Sequence, residues 1–272
     1  MARVKILMLS WLIVSVAFAV PRDATTATLD LCGLTPTFVE DFGELKVSAW
    51  KMGGNRWIAH TPWAGDFGDG AFTDPRLDFP FTLQDGGLRI EARKDMNGRW
   101  RSGLLASADP TGAGFSQMYG YFEAKMKLPV GPGTWPAFWL DEFVPKASSD
   151  PSVELDAMEF YGQFPDSYRA TFSVHDRVHP ESASQLVKVA SGSLSADFHS
   201  FGIDVERDFI TYFFDRTEVW RIPTPAQHTR PFMVLVDLAL GSGWPIDKTP
   251  NPSVMDVAYV HVYERQPVTC GK

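Results

Sequence analysis

The chain has 272 residues, of which 44% are hydrophobic and 21% are charged, and its formal net charge is −8. This length fits one large all-β domain or two smaller domains, and the apolar content supports a packed core and argues against a disordered chain. An acidic chain without basic clusters also argues against a nucleic-acid partner, because phosphates are bound by Lys and Arg.

The first residues, MARVKILMLSWLIVSVAFAV, combine a basic start, an apolar stretch and the small-residue triplet Ala17-Phe18-Ala19. This order predicts a secretory signal peptide over residues 1–19, followed by a short leader over residues 20–30. The apolar stretch is short for a membrane span, which needs about 20 residues, and an uncleaved anchor is the alternative. We therefore expect a secreted or periplasmic protein that has no membrane contact after cleavage.

Two cysteines, Cys32 and Cys270, stand near the two ends of the mature chain. Export permits a disulfide between them, which would require neighbouring chain ends, as in a sheet whose first and last strands lie side by side. Two buried thiols are the alternative, because the sequence does not show the geometry that a disulfide needs.

Two-residue alternation of apolar and polar residues recurs along the chain, and helical periodicity is nearly absent. In chain order, FTLQDGGLRIEAR predicts a hairpin that turns at Asp85-Gly86-Gly87, YFEAKMKLP an alternating strand, and FGIDVERDFITYFFDRTEVWRI two hairpins that turn near Arg207-Asp208 and Asp215-Arg216. PFMVLVDLAL predicts a strand covered on both faces, and VAYVHVYER a last strand. Because 22 Gly and 20 Pro punctuate these short strands, the pattern predicts one all-β domain over residues 31–272, built as an antiparallel two-sheet sandwich.

The segment VELDAMEFYG places Glu154, Asp156 and Glu159 in an otherwise apolar run. In a buried strand, such carboxylates lose their hydration and must be paired, neutralised or put to use. Side chains alternate along a strand, so Glu154 and Asp156 share a face and Glu159 would point to the other. One extra residue in a β-bulge around Ala157-Met158 would restore the parity and direct all three acids to one face.

Two carboxyl groups held about 5 to 5.5 Å apart across a sugar linkage are the equipment of a retaining glycosidase. One carboxylate attacks the anomeric carbon and the other holds a proton for the leaving oxygen, and crowded like charges separate their pKa values in that sense. An Asp between them can orient the nucleophile and share a proton. Three unrelated acids on a solvated strand face are the alternative for this stretch alone.

ELDAME resembles the E-x-D-x-x-E signature of glycoside hydrolase family 16, in its bulged, laminarinase-like form. GYFEAKMKLPVGPGTWPAFWL, DFHSFGIDVERDFITYFFDRTEVWRIPTP, PFMVLVDLALGSGWP and VAYVHVYER are also similar to that family, so the likeness runs from Phe38 to Glu264. The resemblance implies a concanavalin A-like β-jelly-roll sandwich with a cleft along its concave sheet. It also implies Glu154 as nucleophile, Asp156 as its assistant and Glu159 as general acid/base.

RWIAHTPWAGDFGDGAF and GSGWPIDKTPNPS are similar to loops of bacterial exopolysaccharide endoglycanases and β-1,3-1,4-glucanases within the family. The resemblance therefore implies a secreted, endo-acting retaining β-glycanase for a β-glucan or a glucose-containing bacterial exopolysaccharide. Leu104 stands where laminarinase-like members often have an Arg, which argues against a strict β-1,3-glucan preference. Trp57 and Trp63 are expected in one wall of the cleft. A transglycosylase with the same carboxylates and a non-catalytic carbohydrate-binding sandwich are the alternatives.

Aromatic rings can cover the flat C–H faces of sugars, so a polymer cleft needs such platforms. Alternation in TWPAFWL puts Trp135 and Trp139 on one face, which the resemblance assigns to the cleft, with core packing as the alternative. Trp244, in a Gly-rich loop, matches a cleft-edge tryptophan of many relatives. His175 is expected on a neighbouring strand, near Asp156 or the sugar next to the cut, with an ordinary hydrogen-bonded histidine as the alternative.

Metals and partners complete these expectations. The other histidines show no metal-ligand spacing; they are His60, His179, His199, His228 and His261. Many relatives bind a structural Ca²⁺ through an Asp just before the aromatic residue of the last strand, where this chain has Ala258; Asp256 lies two residues earlier on the same face. We therefore expect no calcium from that ligand and no cofactor for the chemistry. The expected partner is a polysaccharide, and we expect a monomer.

Overall fold

The computed structural model describes residues 28–266, apart from residues 64, 85, 146 and 147. These described residues form eighteen β-strands and a four-residue helix, α1, at Ser193–Ala196. The strands are β1 Leu34–Glu40, β2 Val47–Ser48, β3 Trp57–Ile58, β4 Ala71–Phe72, β5 Phe81–Gln84, β6 Gly87–Lys94, β7 Trp100–Ser102, β8 Leu104–Ala106, β9 Gly120–Lys127, β10 Thr134–Glu142, β11 Ser152–Glu159, β12 Ser167–His175, β13 Glu181–Lys188, β14 His199–Val205, β15 Phe209–Phe214, β16 Thr217–Pro223, β17 Phe232–Leu240 and β18 Ser253–Arg265. Within the described ranges, no helix has the length and apolar character needed to cross a membrane.

The strands build two sheets that pack face to face. The ten-stranded sheet has the order β16-β15-β14-β9-β18-β6-β7-β4, with β1 beside β18 and β5 beside β6, and the eight-stranded sheet has the order β13-β12-β11-β10-β17-β8-β3-β2. The predicted all-β sandwich is therefore confirmed. The expectation of purely antiparallel sheets was wrong at two edges, where β2–β3 and β4–β7 pair in parallel. Neither parallel pair is joined by a hairpin turn, which would make its two strands antiparallel.

The strand predicted from PFMVLVDLAL is β17, and it is buried at every residue. Val234 and Val236 on one face belong to the main hydrophobic core between the sheets. Met233 and Leu235 on the other face belong to a second apolar cluster on the concave side of the eight-stranded sheet. The near-continuous apolar sequence thus reflects burial on both faces.

The predicted hairpins are present as antiparallel pairs β5–β6, β14–β15 and β15–β16. The last of them turns at Asp215 and Arg216, whose φ angles of 46° and 60° are left-handed, as a two-residue hairpin turn of this type requires. Each turn lies where the alternation of the sequence is interrupted, so these local signals were sufficient to place the hairpins.

The first and last strands, β1 and β18, lie side by side and pair antiparallel. This is the arrangement that a bridge between Cys32 and Cys270 needs. Cys270 lies outside the described residues, however, so the disulfide stays a prediction. The predicted signal peptide over residues 1–19 and most of the leader also lie outside them.

The position that holds calcium in many relatives falls on β18. Ala258 has no side-chain oxygen, and the two carboxylate oxygens of Asp256 accept hydrogen bonds from Arg89, at 2.7 Å from Nε and 3.1 Å from Nη2. In the part of the chain that the structure describes, no group of three or more His, Cys, Asp or Glu could hold a metal ion. The side chains at this position therefore do not fit a calcium ion.

Candidate active site

The acidic strand β11 lies between β10 and β12 and carries the predicted irregularity. Asp156 of β11 pairs with Thr171 of β12, and Glu159 of β11 pairs with Arg169 of β12. Three residues along β11 therefore span the same distance as two residues along β12. The register of β11 against β10 shifts by one residue in the same segment. This is a β-bulge at Ala157-Met158, the place where the alternation required it.

The bulge directs all three acids to the same side of the sheet. Glu154, Asp156 and Glu159 line one cleft of about 280 Å³ on the concave face. Leu155 and Met158 point the other way, and both are fully buried in the main core. The carboxylates thus meet in a shared space, whereas the apolar side chains between them anchor the strand.

Aromatic rings form the cleft together with the acids. Trp135 and Trp139 line it, as do Trp63 and Phe67 from the loop between β3 and β4. The ring of Phe67 lies edge-on to both strand tryptophans, at centroid distances of 5.4 and 5.8 Å. Trp63 contacts Trp139 in the same manner at 6.0 Å. The two predicted platforms therefore face the cleft, and sequence reasoning missed Phe67, which lies in a loop without periodicity.

Trp57 departs from the expectation that it forms a wall of the cleft. Its side chain is 1% exposed and packs edge-on against Phe38 in the main core. Its Nε1 donates to Glu40 at 3.1 Å. The expectation was wrong because Trp57 lies in the short strand β3, whereas Trp63 lies in the loop that follows it.

Glu159 is held by three donors. Trp135 Nε1 and Tyr161 Oη donate to its Oε1 at 3.2 and 3.1 Å, and Thr171 Oγ1 donates to its Oε2 at 2.8 Å. Burial, and then the charge of Glu159, raise the pKa of Tyr161 to about 12, so its hydroxyl stays protonated and can donate. Both oxygens of Glu159 are therefore fixed in position toward the cleft.

Asp156 lies between the two glutamates and is 6% exposed. Burial, and then the negative charges of Glu154 and Glu159, raise the pKa of Asp156 well above its usual value. A raised pKa means that the buried carboxyl keeps its proton at a pH where an exposed Asp has lost it. The surroundings of Asp156 thus favour its protonated form more than water does.

Two more carboxyls on this sheet escaped sequence reasoning. Asp141 stands opposite Glu154 on β10, is 7% exposed, and its Oδ1 has no hydrogen-bond partner among the described residues. Asp237 on β17 is fully buried and accepts from Trp139 Nε1 at 2.8 Å and from the Ala239 amide at 2.9 Å. Burial raises the pKa of Asp237 to about 8 despite these hydrogen bonds, and burial followed by the charge of Glu154 raises that of Asp141.

Both residues left a signal in the sequence. Asp237 is the one acid in the apolar run PFMVLVDLAL, and Asp141 extends the two-residue spacing of Trp135 and Trp139. A charge at such a position requires a partner or a use. The signal indicates a buried acid, but it does not show which residue stands opposite.

His175 lies on β12, next to the acidic strand as expected, but its partner is Glu154. His175 Nε2 lies 3.3 Å from Glu154 Oε2. The hydrogen bond to Glu154 raises the pKa of His175; burial opposes this shift, the charge of Glu154 adds to it, and the net direction is upward. Contact with Asp156 is ruled out by the register, because Asp156 pairs with Thr171, about 13 Å along the strand from His175.

Trp244 lines a neighbouring groove of about 500 Å³ instead of the acidic cleft. It follows the loop 241–243, in which all three residues have positive φ, and its ring contacts Phe164 edge-on at 5.2 Å. Tyr161 lies between the two spaces, since it lines the groove and stacks on Trp135 with ring centroids 6.4 Å apart. Cleft and groove therefore adjoin along the concave sheet.

Known proteins are similar to this chain in sequence and in fold. The chain is 32% identical over 261 residues to the endo-1,3-1,4-beta-glycanase EglC of Rhizobium meliloti (strain 1021), an alignment that covers 86% of this chain and 53% of EglC. The corresponding values for ExsH, an endo-1,3-1,4-beta-glycanase of the same organism, are 30%, 87% and 53%. The chain thus spans about half the length of these relatives.

Among solved structures, the catalytic domain of an endo-1,3-beta-glucanase (laminarinase) from Thermotoga petrophila RKU-1 matches with a TM-score of 0.67 at 22% identity, and the match covers 85% of this chain and 98% of that domain. SCLam, a non-specific endo-beta-1,3(4)-glucanase, matches with a TM-score of 0.69 at 20% identity, over 88% of this chain and 94% of that one. The sequence profile of the glycosyl hydrolases family 16 matches residues 80–261, which include all three acids. The chain therefore belongs to glycosyl hydrolases family 16.

Proposed function

We propose that this protein is an endo-acting β-glucan hydrolase that cuts internal bonds of a β-1,3- or β-1,3-1,4-glucan, or of a glucose-containing bacterial exopolysaccharide, with retention of configuration. The observation that carries the proposal is the single cleft that Glu154, Asp156 and Glu159 line between aromatic rings. The relatives EglC and ExsH, both named endo-1,3-1,4-beta-glycanases, support the substrate class.

Glu154 is the proposed nucleophile. Its carboxylate attacks the anomeric carbon, the bond from that carbon to the leaving oxygen breaks, and Glu159 gives its proton to that oxygen. Glu159 then takes a proton from a water molecule, which attacks the glycosyl-enzyme and releases Glu154 as a carboxylate. The three donors around Glu159 support this role because they keep one carboxyl group aimed at the same place in both steps.

Asp156 and His175 are the proposed assistants of Glu154. A protonated Asp156 between the glutamates avoids a third negative charge in the cleft. His175, when protonated, places a positive charge 3.3 Å from Glu154 and favours its ionised form. The adjoining groove beside Trp244 supports an internal cut, because a polymer can continue past the acids along the concave sheet.

Glu154→Gln and Glu159→Gln test the proposal, because each replaces a carboxyl by an amide of similar shape. Each variant should lose turnover of lichenan and laminarin by at least about a hundredfold, with unchanged circular dichroism and melting temperature. Glu218→Gln, which changes a partly exposed glutamate of β16 in the other sheet, is the matched control and should keep the wild-type rate. Full activity in either cleft variant would refute the assignment.

Product analysis separates hydrolysis from the two alternatives. NMR of freshly released products should show the β-anomer before mutarotation, and sized products should include internal fragments. Lengthened oligosaccharides would indicate transglycosylation with the same carboxylates. Binding to glucan without new reducing ends would indicate a carbohydrate-binding sandwich.

We also propose that the enzyme acts outside the cytoplasm, on the basis of the signal peptide predicted over residues 1–19. Protein recovered from the periplasm or the medium should begin at Val20 in N-terminal sequencing. Recovery only of cell-associated protein that still carries its first residues would contradict this location.

A further inference from the structure

We propose that the natural substrate is an acidic β-glycan, and that Arg169 and Lys188 bind a carboxylate of its sugars in the groove beside Glu159. This inference rests on the proposed function and adds the charge of the substrate to it. We call the groove that adjoins the acidic cleft and is lined by Trp244 the tryptophan groove.

The tryptophan groove combines ring platforms with positive charge. Tyr161, Phe164 and Trp244 line it, together with Arg169 and Lys188. Aromatic rings suffice to hold the C–H face of a neutral sugar, whereas two cations in the same groove add most affinity for a group that carries negative charge, because hydrogen bonds between two charged groups are the strong ones. A guanidinium also matches the planar geometry of a carboxylate better than that of a hydroxyl.

Sheet register fixes where these cations stand. Arg169 on β12 is the direct partner of Glu159 on β11. Lys188 on β13 is the direct partner of Ser167, which lies two residues before Arg169 and on the same face. Both cations therefore project from the concave face, Arg169 beside the proposed general acid and Lys188 one strand further from it.

Among the described residues, Arg169 forms no ion pair with the acids of the cleft. Its Nη1 donates to Ser184 Oγ at 3.0 Å, its side chain is exposed, and within the described ranges it makes no ion pair. The oxygens of Glu159 accept from other donors, namely Trp135, Tyr161 and Thr171. The other N–H groups of the guanidinium can therefore donate hydrogen bonds to a ligand.

Lys188 is engaged more weakly than a buried cation would be. Its Nζ lies 3.0 Å from Asp166 Oδ2, and the two side chains are 62% and 49% exposed. An ion pair at this exposure is screened by water and exchanges readily for another anion. Among the side chains that line the tryptophan groove, Arg169 and Lys188 are the charged ones, and both are positive.

The test compares two forms of one polymer: lichenan that is carboxymethylated, and lichenan that is hydroxyethylated to the same degree. These forms share backbone and bulk and differ in charge. At low salt, the wild type should have a kcat/KM about tenfold higher on the carboxymethylated form, since a charge-assisted hydrogen bond is lost without the carboxylate. The preference should shrink at high salt.

The double variant Arg169→Met with Lys188→Met keeps the length of both side chains and removes their charge. It should bring the ratio of the two kcat/KM values near one, because the loss should fall mainly on the carboxymethylated form. Arg76→Met with Lys51→Met removes the same number of positive charges at exposed residues outside the tryptophan groove and should keep the wild-type ratio. Equal losses on both polymers in the double variant would overturn the proposal and indicate that the cations act on the carboxylates of the cleft. A ratio of one in the wild type would also overturn it.

Binding separates a failure of this proposal from a failure of the proposed function. The variant Glu154→Gln is run in native gels that contain one or the other polymer, with and without the additional change Arg169→Met. Stronger retardation by the carboxymethylated polymer that Arg169→Met removes supports the acidic ligand, even if the wild type cuts neither polymer. Equal retardation overturns it, while hydrolysis of the hydroxyethylated polymer would leave the proposed function intact.

Discussion

Glu154 and Glu159 are five residues apart on β11 and line the same cleft, although a regular strand would send them to opposite faces. The bulge at Ala157-Met158 reconciles these facts. Both bulge residues are buried in the main core, so the extra residue is absorbed on the core side of the strand. The concave side thereby keeps its three acids together.

Deleting Ala157 tests the role of the bulge. The three acids would then follow at two-residue intervals on a regular strand and would still face the cleft. We expect a folded protein whose hydrolysis of lichenan stays within about a hundredfold of the wild type, because small displacements of reacting groups cost about that much. Reducing-end assays and circular dichroism measure the outcome.

Deleting Leu155 is the matched control for that variant. It shortens the same strand by one residue, but it turns Glu154 and Asp156 to opposite faces, so we expect no hydrolysis. If the variant that lacks Ala157 is folded and just as inactive, the bulge does more than set the direction of the acids, and our account of it is wrong.

The donors around Glu159 should affect the chemical step more than binding. Thr171→Val and Tyr161→Phe each remove one hydroxyl donor with little change of shape. We expect each to lower kcat by about fivefold, since one hydrogen bond is worth about 1 kcal/mol, with KM nearly unchanged. Thr82→Val in the other sheet is the control. A change confined to KM would assign these hydroxyls to substrate binding.

Asp237 makes stability depend on pH in a predictable direction. Burial raises its pKa from 3.8 to about 8 in the folded protein. The folded pKa exceeds the unfolded one, so the stability that protonated Asp237 contributes is complete below about pH 4 and is lost as the pH rises toward 8. The side chain of Asp237→Asn cannot ionise. It also has one acceptor oxygen instead of two, so it cannot accept hydrogen bonds from both Trp139 and Ala239.

Asp237→Asn should therefore be less stable than the wild type at pH 4, by about 1 kcal/mol for the lost acceptor. This deficit should shrink or reverse by pH 8.5, where the wild type carries a buried charge. Denaturant unfolding across this range measures the difference. Buried acids that Asp237 does not influence, such as Asp204, titrate alike in both proteins and cancel. A difference that is constant with pH would show that Asp237 is ionised throughout.

The contribution of His175 to stability should fall with rising pH, as that of Asp237 does, but it should be smaller. Its folded pKa is raised from 6.5 by the hydrogen bond to Glu154, so its contribution is complete below pH 6.5 and is lost as the pH rises through the folded value. The side chain is 53% exposed, and screening limits the effect to less than about 1 kcal/mol. His175→Gln should lose this stability at pH 5.5 and nothing at pH 9.

The exposed His179→Gln is the control for that measurement and should match the wild type at both pH values. Added salt should remove most of the effect of His175→Gln, because the ion pair with Glu154 is solvent-accessible. An equal loss of stability at pH 5.5 and pH 9 would point to packing instead of charge.

Side-chain direction along one strand was predictable because it depends on local backbone geometry alone. Alternation placed Trp135 and Trp139 on one face, and parity required a bulge between Asp156 and Glu159; the structure contains both features. The resemblance to family 16 assigned roles to these positions, and the family profile matches the same segment.

Contacts between strands were not predictable, because they depend on the register of segments that are far apart in the sequence. Asp237 holds Trp139 across 98 residues. His175 meets Glu154 instead of Asp156 because β12 runs antiparallel to β11 in a register that no local pattern reveals. Trp57 is buried although its neighbour in the sequence pattern, Trp63, lines the cleft.

The sequence by itself determined the all-β class, the hairpins, and three acids that require a bulge to share a face, since alternation and turn chemistry act over a few residues. Only the tertiary structure decided which side chains surround those acids: the donors to Glu159, the buried Asp141 and Asp237, and the cations beside the cleft. The physical reason is that a sheet creates a site from neighbouring strands, and pairing between strands is a property of the whole fold.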